Sequence, residues 1–204
     1  MEIVGEPERK DTAAAMCLGT LVAMKRFGNP VIVILTADHL IDPVERFQQT
    51  LVSAVKEARG SGALYTFGIK PTHPATGYGY LEVGEKTAMD QDVEHFHVVS
   101  FKEKPSAEIA GQYLESGRYL WNSGMFVWTA DAIFGELALL LPRYVEHLTK
   151  AVEKMGTDQW EDELQRQFAA LARISIDYAV MEKAQDVRCV AGEFDCFVCN
   201  PSIF

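Results

Sequence analysis

With 204 residues, 48% of them hydrophobic, 10% aromatic and 24% charged, the chain has the composition of a globular domain with a sizeable core, which excludes a disordered, collagenous or low-complexity protein. Twenty-nine acidic residues against nineteen lysines and arginines give a net charge of −10, and no basic cluster is denser than Lys25-Arg26, so neither nucleic acid nor an anionic membrane is expected as a partner. The longest apolar run near the start, Val31 to Leu35, falls far short of the ~20 residues of a membrane span, and Met1-Glu2 opens no secretory signal, so a cytoplasmic location is expected.

In chain order, Asp11 and Thr12 offer side-chain oxygens to the first turn of a helix running from Ala13 to Phe27. Lys25 and Arg26 sit in its last turn, and Gly28-Asn29-Pro30 stops it. The β-branched run Val31 to Leu35, without alternation, predicts a parallel strand buried on both faces. It ends at Thr36-Ala37-Asp38-His39. Asp42-Pro43 then restarts a helix, with Asp42 as its cap, Val44, Phe47, Leu51, Ala54, Val55 and Ala58 on one stripe, and Gly60 at its end. Ala63 to Ile69 reads as the next strand, so helix and strand alternate as in βαβ units.

Pro71, Pro74, Gly77 and Gly79 punctuate a loop, after which Tyr80 to Val83 and Val93 to Phe101 read as strands of a mixed sheet. Pro105 opens a helix to Gly117, a short strand surrounds Asn122-Ser123-Gly124, and Asp131 to Met155 is mostly helical. Leu164 to Ala172 and Asp177 to Ala184 are expected as helices and Val187 to Val190 as a strand. The class is α/β, with a mostly parallel sheet and a smaller mixed region after Pro71.

Few side chains are chemically suggestive by themselves. Cys17, Cys189, Cys196 and Cys199 are expected as free thiols, and a lone Cys196-x-x-Cys199 without a nearby histidine is weak evidence for zinc. His95 and His97 are expected on a solvated strand face, and Trp121 and Tyr178 in the core. Asp38 is different: ligands of open α/β sheets sit at the carboxyl ends of strands, and a carboxylate there either binds Mg²⁺ with substrate phosphates or caps the turn before Asp42-Pro43.

Several segments then carry a resemblance: Glu6-Pro7-Glu8-Arg9-Lys10-Asp11-Thr12-Ala13, Ala37-Asp38-His39-Leu40-Ile41, Gly68 to Tyr80, Phe101-Lys102-Glu103-Lys104-Pro105, Trp121-Asn122-Ser123-Gly124-Met125-Phe126, and Ile174 to Lys183. In this order they resemble the mannose-1-phosphate guanylyltransferases, also called GDP-mannose pyrophosphorylases. The resemblance implies a nucleotide-diphospho-sugar transferase fold, Rossmann-like, over residues 1–204, with 1–70 as a nucleotide-side half and 71–204 as a sugar-binding half. It implies GTP and mannose 1-phosphate as substrates, GDP-mannose and diphosphate as products, and Mg²⁺ as cofactor; a homo-oligomer is the one protein assembly considered.

The same resemblance implies residue roles. Asp38 is expected as the metal ligand and, with Lys104, as part of the catalytic set. Glu6, Lys10 and Thr12 are expected on the nucleotide side. A carboxylate at Glu6 can accept from both N1–H and N2–H₂ of guanine, a donor pair adenine lacks, and Lys10 and the amide end of the helix at Thr12 suit phosphates. Gly79, Glu103, Lys104 and Asn122 are expected around the sugar phosphate, Gly79 because a side chain there would intrude.

The family's Gly-rich phosphate loop has no counterpart before Glu6, and after Phe194 its second metal carboxylate has no secure match, although Asp195 is near. These departures suggest an interior portion of a longer enzyme, with negligible pyrophosphorylase activity expected of this chain alone. The alternatives are a non-catalytic GDP-mannose-binding regulatory subunit and another hexose 1-phosphate nucleotidyltransferase.

Overall fold

The structure, a computed structural model, describes residues 3–198. Its elements in order are α1 (Thr12–Phe27), β1 (Val31–Ile34), β2 (His39–Asp42), α2 (Val44–Ser61), β3 (Leu64–Ile69), β4 (Tyr80–Asp90), β5 (Val93–Lys102), α3 (Ala107–Ser116), β6 (Tyr119–Thr129), α4 (Ala130–Leu140), α5 (Pro142–Glu153), α6 (Trp160–Ala169), a π turn (Asp177–Met181), β7 (Val187–Gly192) and β8 (Asp195–Val198). Among the described residues no helix is long and apolar enough to cross a membrane. The chain divides into two compact units that interleave in sequence, one from Met1–Ile32 with Thr129–Ala184, the other from Val33–Trp128 with Gln185–Phe204.

The first unit is helical. Asp11 Oδ1 accepts from Thr12 N at 2.9 Å and starts α1, while Gly28, in a conformation with φ 73°, ends it. Lys25 in the last turn of α1 donates to the carbonyls of Val152 (2.5 Å) and Glu153 (3.3 Å), placing a cation at the carbonyl end of α5. Leu18, Leu21, Ile133, Leu137, Leu148 and Phe168 fill the core between these helices. The last predicted helix is instead a single π turn, and Tyr178 on it is 45% exposed rather than in the core.

The second unit holds most of the sheet, whose strand order is β1-β6-β3-β7-β5-β4 with a further β6–β4 pairing. That extra pairing closes β6, β3, β7, β5 and β4 into a ring of hydrogen-bonded ladders. The sheet is mixed. β3 and β7 run parallel, whereas β3–β6, β4–β5, β4–β6 and β5–β7 are antiparallel. β3 has strands on both sides and every one of its residues is buried. At Gly68 a side chain would run into Cys189 Sγ and Leu120, so only glycine permits this approach.

Several expectations are corrected. The run at Val31 is an edge strand in the six-stranded sheet, with Val33 38% exposed, because an apolar run reports hydrophobicity and not how many neighbours the strand acquires. Asp42 does not cap α2 but belongs to β2, which pairs antiparallel with the unforeseen β8; Pro43 holds the N-cap position without a side-chain hydrogen bond. Gly62, left-handed at φ 73°, ends α2 instead of Gly60. Cys17, Cys189 and Cys196 are free thiols, and Cys199 lies outside the described residues.

His95 is also corrected: it is fully buried, because β5 is flanked by β7 and β4 and packed against α2. Its Nε2 lies 2.8 Å from Ser53 Oγ, and Tyr65 meets the ring edge-on at a centroid distance of 5.5 Å. Burial lowers its pKa below the ordinary histidine value, against smaller opposing contributions from Glu57 and Asp90. The unfolded chain therefore binds the proton more readily, so this contribution to stability is full above about pH 6.5 and is lost as pH falls below it. Urea titrations between pH 7.5 and 5 should show a loss of up to ~1.4 kcal/mol per pH unit from this one proton, absent in His95→Phe; equal pH slopes in the two proteins would refute it.

Candidate functional site

In the second unit the closure of the ladders brings together three residues far apart in sequence. Tyr80 at the start of β4 is the register partner of Lys102 on β5 and of Trp121 on β6. One step beyond, these antiparallel ladders put Gly79 opposite both Glu103 and Asn122. The Asn122 N–H donates to the Gly79 carbonyl at 2.8 Å, continuing the ladder. A Cβ built on Gly79 would lie 2.5 Å from Glu103 Oε2, 3.4 Å from Asn122 Cβ and 3.4 Å from Phe101 Cε1. The Glu103 carboxylate thus rests on bare backbone, and its side chain is only 13% exposed.

Asn122 is oriented from beneath. Thr66 Oγ1 on β3 donates to Asn122 Oδ1 at 2.8 Å, and Gly124 N donates to the same oxygen at 3.3 Å. With Oδ1 accepting twice, the network assigns the amide so that Nδ2 is its donor end. Thr66 was not singled out in the sequence, although a hydroxyl in the middle of an otherwise apolar buried run was a readable signal of a fixed polar partner. Lys104 follows with φ 44°, a left-handed conformation unusual outside glycine. Its Nζ is 3.9 Å from Glu103 Oε1 and its side chain is 54% exposed. Gly79, Glu103, Lys104 and Asn122 are therefore a structural group.

Trp121 is half-buried rather than in the core, with His73 and Tyr78 against its ring at centroid distances of 4.9 and 5.1 Å. The loop after β1 passes close to the Asn122 stretch, since a Cβ on Gly124 would lie 3.7 Å from Thr36 Cγ2. That loop carries Asp38, which is half-buried. Its Oδ1 is 3.8 Å from His39 Nε2, and His39 Nδ1 is 3.3 Å from Cys196 Sγ. Burial keeps the His39 imidazole below its usual pKa despite Asp38, and burial pushes the Cys196 thiol up to about 11, so neither is a charged partner at neutral pH. No group of three or more His, Cys, Asp or Glu side chains able to hold a metal occurs among the described residues. A single carboxylate of this kind fits Mg²⁺, which takes one or two carboxylates and completes its shell with phosphate and water oxygens.

The residues expected on the nucleotide side lie in the first unit. Glu6 is exposed, and partial burial nonetheless raises its pKa, with Arg9 opposing. Lys10 pairs with Glu8 at 3.2 Å and donates to the Ala169 carbonyl at 3.2 Å. Thr12 is committed internally: its N–H goes to Asp11, and its hydroxyl accepts from Ile176 N at 2.8 Å. Ala13 N also donates within the unit, to Ile174 O at 3.2 Å. The first amides of α1 thus have partners and an aspartate beside them, so the expectation that this helix end attracts phosphate is not supported by its geometry.

The family model described as "Nucleotidyl transferase" matches residues 1–163. The mannose-1-phosphate guanylyltransferase of Escherichia coli is 38% identical over 191 residues, covering 90% of this chain and 40% of that protein. The protein of the same description from Salmonella montevideo is 41% identical over 188 residues, covering 91% of this chain and 39% of that one. This chain therefore spans about two fifths of the length of the curated relatives it matches. Among solved structures, one described as mannose-1-phosphate geranyltransferase from Thermus thermophilus superimposes with a TM-score of 0.85 at 32% identity, covering 97% of this chain and 54% of that one.

Proposed function

The chain belongs to the nucleotidyl transferase family, and on that premise we propose that it serves guanylyl transfer to mannose 1-phosphate, giving GDP-mannose and diphosphate. The observation that carries the reading is the convergence of Glu103 and Asn122 on the bare backbone of Gly79. A carboxylate and an amide donor held rigidly at a surface without side chains suit a polyhydroxylated ring: Glu103 accepts from sugar hydroxyls and Asn122 Nδ2 donates. Lys104 meets the sugar phosphate. An oxygen of that phosphate attacks the α-phosphorus of GTP, forming the new P–O bond as the bond to the β-phosphate oxygen breaks and diphosphate leaves.

Positioning is what this chain's residues contribute. Glu103 and Asn122 hold the sugar, and the Lys104 ammonium offsets the charge of its phosphate. Asp38 is the residue that would hold Mg²⁺, which when bound draws charge from the phosphate oxygens. Glu6 reads the guanine edge and Lys10 lies on the nucleotide side, while Thr12 fixes the Glu6–Asp11 segment through its bond to Ile176. The nucleotide-side residues fall within 1–70 and the sugar-side residues within 71–204, and the reaction is assigned to the cytoplasm.

Titration with GDP-mannose and GDP tests the reading. Glu103→Ala should weaken GDP-mannose binding by roughly 10- to 150-fold, the value of a hydrogen bond to a charged group, while GDP binding holds. Equal losses for both ligands would move Glu103 off the sugar side. Glu6→Gln should weaken GDP by a similar factor and leave ADP unchanged; a matching loss for ADP would end its assignment as base reader.

A further inference from the structure

We propose that Trp121 is a positioning residue of the sugar side: its indole clamps the loop of residues 70–79 and so holds the Gly79 backbone against Glu103. The inference rests on the sugar-side reading given above. Trp121 on β6 is the register partner of Ile69, the last residue of β3, and of Tyr80, the first of β4. These two residues bracket the loop, so the indole sits at its mouth.

The end of the loop is tied to β6 by the bond from Asn122 N–H to the Gly79 carbonyl at 2.8 Å, and within the loop Thr72 Oγ1 lies 3.2 Å from His73 Nδ1. Pro71 and Pro74 lack backbone donors, and the described loop bonds include Ala75 N to His73 O (2.9 Å) and Tyr80 Oη to Ala75 O (2.8 Å). Against that background, the rings of His73 and Tyr78 lie on Trp121 at 4.9 and 5.1 Å with interplanar angles of 69° and 61°, the tilted approach that aromatic pairs prefer. One grips the middle of the loop and the other its last turn. Tyr78 is the neighbour of Gly79, so the second contact acts beside the Asn122–Gly79 backbone bond in holding the backbone on which the Glu103 carboxylate rests.

Two further observations fit a clamp that does not itself touch the sugar. Successive residues of a strand face opposite ways, so Trp121 and Asn122 serve different sides of β6: one holds the loop, the other faces Gly79. Trp121 Nε1 is buried with no hydrogen-bond partner among the described residues, a cost that a phenyl ring would avoid. What indole supplies over phenyl is a two-ring span that reaches His73 and Tyr78 together.

The test uses the whole chain, with Trp121→Leu and the double variant His73→Ala/Tyr78→Leu, which keeps Trp121 and removes both rings that it holds. Hydrogen–deuterium exchange without ligand should speed up in residues 70–79 and remain at wild-type rates in β3 and β7. Affinity for GDP-mannose should fall on the order of tenfold, the scale of two aromatic pairs, with GDP affinity unchanged. Unchanged loop exchange in the double variant overturns the clamp. A loosened loop with no loss of GDP-mannose affinity, or with an equal loss for GDP, overturns the sugar-side role. Should Trp121→Leu fail to fold, the double variant decides. A wild-type chain that binds GDP-mannose no better than GDP overturns the functional reading and the sugar-side role with it, and the ligand-free exchange tells that failure from failure of the clamp.

Discussion

Gly79→Ala is expected to remove sugar recognition altogether while the chain stays folded. The added methyl would start 2.5 Å from Glu103 Oε2 and 3.4 Å from Asn122 Cβ, so the carboxylate must swing away. The Glu103 contact is displaced and the new methyl stands where the sugar would lie, while Asn122 Cβ remains at ordinary contact distance. At ~1.5–3 kcal/mol for the hydrogen bonds to the charged Glu103, with the methyl also crowding the sugar, GDP-mannose affinity should fall by on the order of 100-fold. GDP binding is the control and should stay within about twofold, well inside the 1.4 kcal/mol that marks a tenfold change. Titration calorimetry with both ligands reads the difference. A Gly79→Ala protein that still prefers GDP-mannose would show that the backbone at this position is not a sugar contact.

Phe67→Ala is expected to be the more severe change for the fold. Phe67 is fully buried on β3, with strands on both sides and Phe47 of α2 at a ring-centroid distance of 5.9 Å. Truncating a buried phenylalanine costs about 3–5 kcal/mol, from lost transfer energy together with the cavity left behind. That is a large part of the roughly 5–15 kcal/mol by which domains are usually stable. The urea midpoint should fall steeply in Phe67→Ala and much less in Phe67→Leu. Similar midpoints for the two would mean that the site collapses around the loss.

What was legible in the sequence is what depends on near neighbours. Asp11 before an alanine run and Gly28 after it mark α1 because capping is a matter of a few adjacent bonds. Gly117 ends α3 for the same reason, whereas its N-cap is Ser106 rather than the expected start at Pro105. The burial of His95 was not legible, because it depends on β7 and α2, and neither is its sequence neighbour. β2 was missed because a four-residue strand has meaning only when residues 195–198 lie alongside it.

The candidate site divides along the same line. Glu103-Lys104-Pro105 reads, on composition, as a charged strand end, and only family likeness marked it. The register of Tyr80 with Lys102 and with Trp121 supplies the physical reason why positions 79, 103 and 122 meet. No spacing rule could have given those ladders. Asp38 was visible as a carboxylate after an apolar strand; its neighbours His39 and Cys196 were not, since Cys196 arrives on β8.

The interleaving of the two units bears on how the protein is made. β3 is buried on both sides in the finished fold, yet its parallel partner β7 is synthesised only after β4 through α6 have been made. Until then one edge of β3 is an open template for pairing with another chain. The first unit waits as well, because α1 packs on α4 and α5, which follow the whole β3–β6 region. Such contacts between distant positions make for slow folding, since long loops must close before any ladder rewards them. Nascent chains halted before Val187 should therefore engage chaperones more than those released after Gly192.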